Sequence, residues 1–151
     1  MRLLKSFEEY QKEGIIRRDK ADFERAKSMI IESERKTRSM LLNLEKVGIN
    51  PDNANDYAEQ SYDIIMFLIR AKLYSEGYVS SGKGSHEAEV AYLRIIGISE
   101  KEVSVMNELR YLRNGMLYYG NPVDEEYARK AIAFTKKMRS KLKNIAEEKI
   151  R

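Results

Sequence analysis

The residues best suited to chemistry lie in one short stretch, NELRYLRNGMLYYGNP. Arg110 and Arg113 are three positions apart, so on a helix they are neighbours whose like charges repel by about 0.2–0.5 kcal/mol. An anion bound between them removes this repulsion and accepts bidentate hydrogen bonds from the guanidinium groups. Asn114 adds an amide, and Tyr118 and Tyr119 add hydroxyls and aromatic faces. The stretch therefore predicts a site for a phosphate group.

A helical projection at about 100° per residue places these side chains relative to the protein core. Val105, Leu109, Leu112 and Met116 fall on one face, which predicts the core side of the helix. Polar side chains form a stripe on the opposite side, so we expect them to be open to solvent. The stripe comprises Asn107, Arg110, Tyr111, Asn114 and Tyr118, with Arg113 and Leu117 on its flank.

The elements that must position this stretch are predicted to be helices. Six positions show a capping residue ahead of a helix-like run, glycines follow the runs, and no alternating strand pattern remains. The predicted caps are Ser6, Asp19, Asn50, Ser85, Ser99 and Asn121. The predicted helices lie near residues 6–13, 19–47, 51–76, 86–97, 100–119 and 122–148. The third is apolar nearly all round, so we expect it at the centre of the bundle or in a subunit interface.

Composition excludes several classes of protein. The chain has 151 residues, enough for one domain with a buried core, and 34% of them are charged. Because cysteine is absent and His86 is the only histidine, we expect no disulfide, no metal site and no cofactor. The longest apolar run, Ile64 to Ile69, is too short to span a membrane. These features predict a cytoplasmic protein.

The last predicted helix is strongly basic. Residues 129–151 contain nine Lys or Arg side chains and two acidic ones. This distribution suits contact with nucleic acid or another polyanion. Lys and Arg also solubilise exposed helix surfaces and favour helix C-termini, so the same residues are compatible with a solvated face. The charge alone leaves both interpretations open.

Residues 19–147 resemble the HEPN domain family. The resemblance is carried by a long helix, the segment ANDYAEQSYDIIMFLIRAKLYSEGY, the segment GSHEAEVAYL and a helix that ends in LRYLRNGMLYYG. HEPN domains are small all-helical bundles, usually dimeric, and many are ribonucleases or partners of MNT-type minimal nucleotidyltransferases. The resemblance implies an all-α, up-and-down bundle of five helices in residues 19–151, preceded by a short extension helix in residues 1–18.

The family signature is an arginine, a polar residue and, after four to six further positions, a histidine. Arg113 and Asn114 match the first two, but Tyr118 stands where the histidine is expected. The resemblance implies Arg113, Asn114 and Tyr118 as a degenerate catalytic motif, with Arg110 and Tyr119 as further phosphate or nucleotide ligands. Tyrosine, with a pKa of about 10, is a poor base at neutral pH compared with histidine, at about 6.5. We therefore expect binding to survive the substitution better than catalysis.

Three functions are compatible with these residues. The first is a homodimeric module that binds a minimal nucleotidyltransferase, as in toxin–antitoxin pairs, and holds nucleotide or RNA through the Arg-Asn motif. The second is a metal-independent ribonuclease that takes its base from elsewhere, with His86, Asp63 and Glu59 as candidates. The third is a structural bundle whose arginines pair with carboxylates such as Glu108, Glu59 or Asp63.

Other conspicuous residues are expected to be structural. His86 stands at the predicted start of a helix, where we expect it to be exposed. The preceding SSGKGS segment lacks the GxxxxGK[ST] spacing and the preceding strand of a P-loop, so we expect a flexible connector. Tyr118 and Tyr119, with the apolar third helix, provide hydrophobic surface for a dimer. Packing roles are expected for Tyr57, Tyr62, Tyr92 and Tyr111.

Overall fold

The computed structural model describes residue 1 and residues 3–150. In this part of the chain there are six helices and one pair of short strands, and the predicted all-helical class is confirmed at the level of a helical bundle. Within the same residues, none of the helices combines the length and the apolar composition of a membrane span. In chain order the elements are α1 (Phe7–Lys12), β1 (Ile16–Arg18), α2 (Phe23–Val47), α3 (Ala54–Ser75), β2 (Tyr78–Ser80), α4 (Ser85–Ile95), α5 (Glu100–Tyr119) and α6 (Glu125–Glu147).

Helix α3 lies at the centre of the bundle and makes its most extensive contacts with α2 and α6. Ile64, Ile65 and Ile69 are fully buried, and so are Ala58 and Ala71, whose small side chains let neighbouring elements approach closely. The apolar character of α3 left both a central and an interface position open. Burial within one chain explains it, so this helix no longer supports a dimer.

The expectation that the chain contains no strands was wrong. Strands β1 and β2 pair antiparallel, with Ile16 opposite Ser80. Each strand has three residues, which is too short for alternating hydrophobicity to be recognised in the sequence. Ile16 is buried together with Phe7 and Tyr10 in the main core of the bundle. The N-terminal segment is therefore packed on the bundle rather than extending away from it.

The capping predictions were right at two helices. The hydroxyl oxygens of Ser6 and Ser99 each accept the backbone N–H of the residue three positions later. Helices α2 and α6 begin later than predicted, and the carboxylates of Asp22 and Asp124 cap them. Asp and Asn side chains also bind the backbone of ordinary turns, so a cap-like residue need not stand at a helix end. The predicted caps that are not caps are Asp19, Asn50, Ser85 and Asn121.

Replacing Gly77 with alanine is expected to destabilise the fold more than the same change at Gly97. Both glycines have a positive φ, 78° and 87°, a conformation that costs other residues about 1–3 kcal/mol. At Gly77 a Cβ would also lie 2.7 Å from the backbone oxygen of Asp19, whereas at Gly97 no described atom lies within 4 Å. Urea unfolding of the two variants measures the difference. Equal losses of unfolding free energy would contradict the close contact between the backbone at Gly77 and the carbonyl oxygen of Asp19.

Candidate functional site

Helix α5 faces the bundle with a side that overlaps the predicted one only in part, since Leu109 and Met116 are buried as predicted. Val105, which the projection places in the core, is 40% exposed, whereas Asn107 and Arg110 are buried beside Val103 and Met106. The prediction that the polar stripe is open to solvent was therefore wrong for Asn107 and Arg110. The physical reason is that Arg110 donates to Asn107 and pairs with Glu87 of α4, and these contacts reduce the free-energy cost of burying polar side chains.

Arg110 is 5% exposed and is fixed between α5 and the first turn of α4. Its Nε donates a hydrogen bond to Oδ1 of Asn107 at 3.0 Å. Its Nη1 lies 3.7 Å from Oε1 of Glu87. This distance is that of an ion pair, but it is longer than a normal hydrogen bond. Glu87 also accepts a long hydrogen bond from the hydroxyl of Tyr10, at 3.5 Å. The terminal nitrogens of Arg110 therefore keep the capacity to donate to a ligand.

Arg113 is anchored to α3 instead. Its guanidinium carbon lies 4.9 Å from the ring centre of Tyr62, and its Nη2 lies 3.9 Å from Oδ1 of Asp63. Asp63 also pairs with Lys36, at 3.7 Å. Burial raises the pKa of Tyr62 to about 12, so its ring stays neutral beneath the guanidinium group. These contacts match the third hypothesis, in which an arginine of α5 stabilises the bundle.

A buried ion pair joins α3 and α4 next to the two arginines of α5. Nε of Arg70 donates to Oε2 of Glu89 at 2.5 Å, and the hydroxyl of Ser80 donates to Oε1 at 3.0 Å. The Glu89 side chain is 4% exposed. Because both carboxylate oxygens have donors, the negative charge is compensated inside the protein. The pair fixes the first turns of α4 against α3 and β2.

His86 lies in the first turn of α4 among these charges, and it is half-buried rather than exposed as predicted. Burial is the main cause that lowers the pKa of its imidazole below 6.5. The negative charge of Glu89 acts in the opposite direction, while Arg70, Arg113 and Arg110 lower the pKa further. At neutral pH the ring is therefore uncharged and can accept a proton or a hydrogen bond.

The loop before α4 and the second half of α5 form the walls of an open cavity of about 370 Å³, which we call the glycine-side cavity. Gly84 stands at the N-cap with a φ of 89°, and within the described chain no side chain caps α4. The first-turn N–H groups of α4 and the Lys83 ammonium therefore give this wall a positive character. The cavity is lined by residues 82–87, Arg110, Asn114 and Tyr118.

A second cavity, of about 490 Å³, lies next to the first, and we call it the tyrosine-side cavity. Tyr118 and Tyr119, which contribute to it, are 74% and 80% exposed. Asn121, just after the end of α5, also lines this cavity, and its backbone N–H donates to the carbonyl of Gly115 at 3.1 Å. Its lining comprises Met1, Glu87, Arg110, Tyr111, Leu112, Asn114, Gly115, Tyr118, Tyr119 and residues 121–123.

The structure brings together four of the five residues predicted to bind phosphate. Arg110, Asn114 and Tyr118 line both cavities, and Tyr119 lines one of them. Arg113 lines neither cavity. Of the carboxylates proposed as partners, Asp63 pairs with Arg113. No ion pair joins Glu59 or Glu108 to an arginine of α5 among the described residues.

The sequence did not place Lys83, His86 and Glu87 beside the arginines of α5. The available signal was the SSGKGS segment, which runs into a helix N-terminus, but it was interpreted as a flexible connector. In the structure its first residue, Ser80, belongs to β2 and its last, Ser85, begins α4. The segment is thus a short link between two elements and forms one wall of a cavity.

The His86 imidazole is expected to titrate below pH 6.5, because burial and three arginines disfavour its charged form. Since the unfolded chain takes up the proton at a higher pH, stability contributed by neutral His86 is complete above about pH 6.5 and is lost as the pH falls below it. As the chain has one histidine, its imidazole proton NMR signals report the midpoint directly. The His86→Gln variant should lose this part of the pH dependence of unfolding. A midpoint above 6.5 would contradict the burial of the ring.

Comparisons with protein-family models, with curated proteins and with solved structures give no match for this chain. In the part of the chain that the structure describes, no group of three or more His, Asp or Glu side chains is arranged to hold a metal ion. The chemistry of the site therefore has to be inferred from the two cavities and the side chains around them.

Proposed function

We propose that this chain is a HEPN-type helical module that binds a nucleotide or RNA through a phosphate group in the glycine-side cavity. One observation carries the proposal: Arg110, Asn114 and Tyr118 line the same cavity as Lys83 and His86. The first three are spaced along α5, while the last two come from the loop and first turn of α4. Together they offer an anion two positive charges and several hydrogen-bond donors.

The charges around the cavity favour an anionic ligand. Among its described lining residues, Glu87 is the one acid, against the cations Lys83 and Arg110. Because Nη1 of Arg110 lies 3.7 Å from Glu87, a phosphate oxygen can approach this guanidinium group more closely than the carboxylate does. Hydrogen bonds to charged groups contribute about 1.5–3 kcal/mol each. The third hypothesis, a structural bundle whose arginines pair with carboxylates, explains the contacts of Arg113 but gives no reason for the cavity.

The resemblance also supplies the proposed partners, which are a second copy of the chain and a minimal nucleotidyltransferase of a toxin–antitoxin pair. Leu117, Tyr118 and Tyr119 are exposed near the end of α5 and offer apolar surface for such contacts. Light scattering at micromolar concentration should show a dimer, and a monomer would count against this part of the proposal. A nucleotidyltransferase encoded next to this chain should co-purify with it when the two are expressed together.

Metal-independent ribonuclease activity is a second candidate, and the position of His86 favours it. A neutral imidazole at the cavity can take the proton from a ribose 2′-OH. The 2′-oxygen then attacks phosphorus, the bond from phosphorus to the 5′-oxygen breaks, and the departing oxygen takes a proton from water. Single-stranded RNA should then be cut without added metal by the native chain and by Arg129→Gln, but not by His86→Gln. RNA left intact by the native chain excludes this candidate.

Phosphate binding can be tested with AMP and inorganic phosphate while the NMR signals of His86 are observed. We expect saturable changes in these signals and a higher titration midpoint, because a nearby phosphate favours the imidazolium form. Sodium chloride added to the same ionic strength serves as the control. Signals that do not change with millimolar AMP or phosphate would reject the proposed function.

A further inference from the structure

The glycine-side and tyrosine-side cavities are two halves of one groove. Four residues line both, so the cavities meet at these side chains: Glu87, Arg110, Asn114 and Tyr118. The two volumes, about 370 and 490 Å³, both fall within the range of about 300–1,000 Å³ that is usual for small-molecule sites. A ligand longer than a phosphate ion can therefore occupy both at once.

The two halves differ in chemistry. The glycine-side cavity contains Lys83, His86 and the first turn of α4, so it suits the phosphate. The tyrosine-side cavity contains Tyr111 and Tyr119, and among its described lining residues Arg110 has the one cationic side chain. Aromatic side chains stack on bases of any sequence, at about 1–3 kcal/mol per base. This half therefore suits a flat, uncharged ring.

The groups at the junction suit a sugar between the phosphate and the ring. Glu87 is an acceptor for hydroxyl groups and repels phosphate, so it keeps the anion towards Lys83. Its carboxylate is held by Arg110 at 3.7 Å and by the Tyr10 hydroxyl at 3.5 Å. Asn114, which also lines both halves, can donate to or accept from a hydroxyl.

We infer that the groove binds one ribonucleotide unit, with its phosphate in the glycine-side cavity, its ribose hydroxyls at Glu87 and Asn114, and its base against Tyr111 and Tyr119. This inference rests on the proposed function and adds the ligand class and its orientation. The same unit can be a free nucleoside monophosphate or the end of an RNA chain. Asn121 also lines the tyrosine-side cavity, and its amide can donate to or accept from the edge of the base.

Isothermal titration calorimetry with four probes tests the orientation. AMP and UMP should bind more tightly than ribose 5-phosphate, which lacks a base, and AMP should bind more tightly than dAMP, which lacks the 2′-OH. Tyr119→Ala should weaken AMP binding about tenfold and leave ribose 5-phosphate binding unchanged. Phe23→Ala, which truncates an exposed aromatic residue on α2 outside both cavities, is the matched control and should change neither.

The outcomes separate this inference from the proposed function. If ribose 5-phosphate binds as tightly as AMP and Tyr119→Ala has no effect on either, the base does not occupy the tyrosine-side cavity, and phosphate binding still stands. If none of the phosphate compounds binds, both proposals are wrong. A short oligoadenylate that binds more tightly than AMP would identify the unit as part of RNA, and equal affinities would identify a free nucleotide; both results support the groove as a ribonucleotide site.

Discussion

Replacing Arg70 with alanine is expected to lower the free energy of unfolding by about 3 kcal/mol, at the lower end of what breaking a buried ion pair costs. The variant leaves the Glu89 carboxylate, whose side chain is 4% exposed, without the guanidinium group that lies 2.5 Å from it. The lower end applies because the Arg70 side chain is itself 23% exposed, so water can reach part of the vacated space. Urea unfolding followed by circular dichroism measures the change.

Two further variants show whether the loss of unfolding free energy comes from the unpaired, buried carboxylate of Glu89. Arg35→Ala removes an arginine that pairs with Glu32 on the exposed surface of α2, and it should change stability by less than about 1 kcal/mol. The double variant Arg70→Met with Glu89→Leu removes both charges, and it should recover much of the stability lost by Arg70→Ala. A loss below about 1 kcal/mol for Arg70→Ala would show that Glu89 is not buried as described.

The Arg110→Met variant is expected to weaken AMP binding about a hundredfold. Methionine retains an unbranched side chain but removes the guanidinium group that lines both halves of the groove. The loss of one or two charge-assisted hydrogen bonds, at about 1.5–3 kcal/mol each, corresponds to roughly this factor. Calorimetric titration of the native and variant chains measures it.

Folding must be monitored in the same experiment, because Arg110 also donates to Asn107 inside the protein. Circular dichroism should show the helical spectrum of the native chain at the temperature of the titration. Arg129→Met is the matched control, since Arg129 lies on the exposed face of α6, pairs with Glu125 and lines neither cavity. If the Arg110→Met chain is folded and binds AMP with native affinity, Arg110 does not contribute to AMP binding.

The helical bundle could be predicted because local rules determine much of it. The caps at Ser6 and Ser99 depend on neighbours within three positions. Apolar spacing predicts part of the buried face of α2: Ala26, Ile30 and Met40 are buried, whereas Phe23, Leu41 and Val47, which share the spacing, are exposed. Strands β1 and β2 could not be predicted in this way. Each has three residues, and the partner that makes each one a strand is far away in the sequence.

The orientation of α5 shows why the site could be predicted only in part. A projection of one helix assigns the core to apolar side chains, which was right for Leu109 and Met116 but wrong for Val105. Arg110 and Asn107 are buried because Asn107 accepts from Arg110 and because Glu87, on α4, lies opposite. That compensation involves two elements, so it cannot be read from either one alone. The residue types for an anion site were visible, whereas the association of Lys83 and His86 with them required the fold.

The short sheet has a consequence for where the functional unit begins. The backbone N–H of Ser81 donates to the carbonyl of Ile15 at 3.0 Å, and a Cβ on Gly84 would lie 3.4 Å from the Ile15 side chain. The loop that forms one wall of the groove is thus braced by a segment that precedes residue 19. A fragment cut at residue 19 would keep all the helices from α2 onward yet lose this scaffold, so we expect the proposed groove to require the amino-terminal strand.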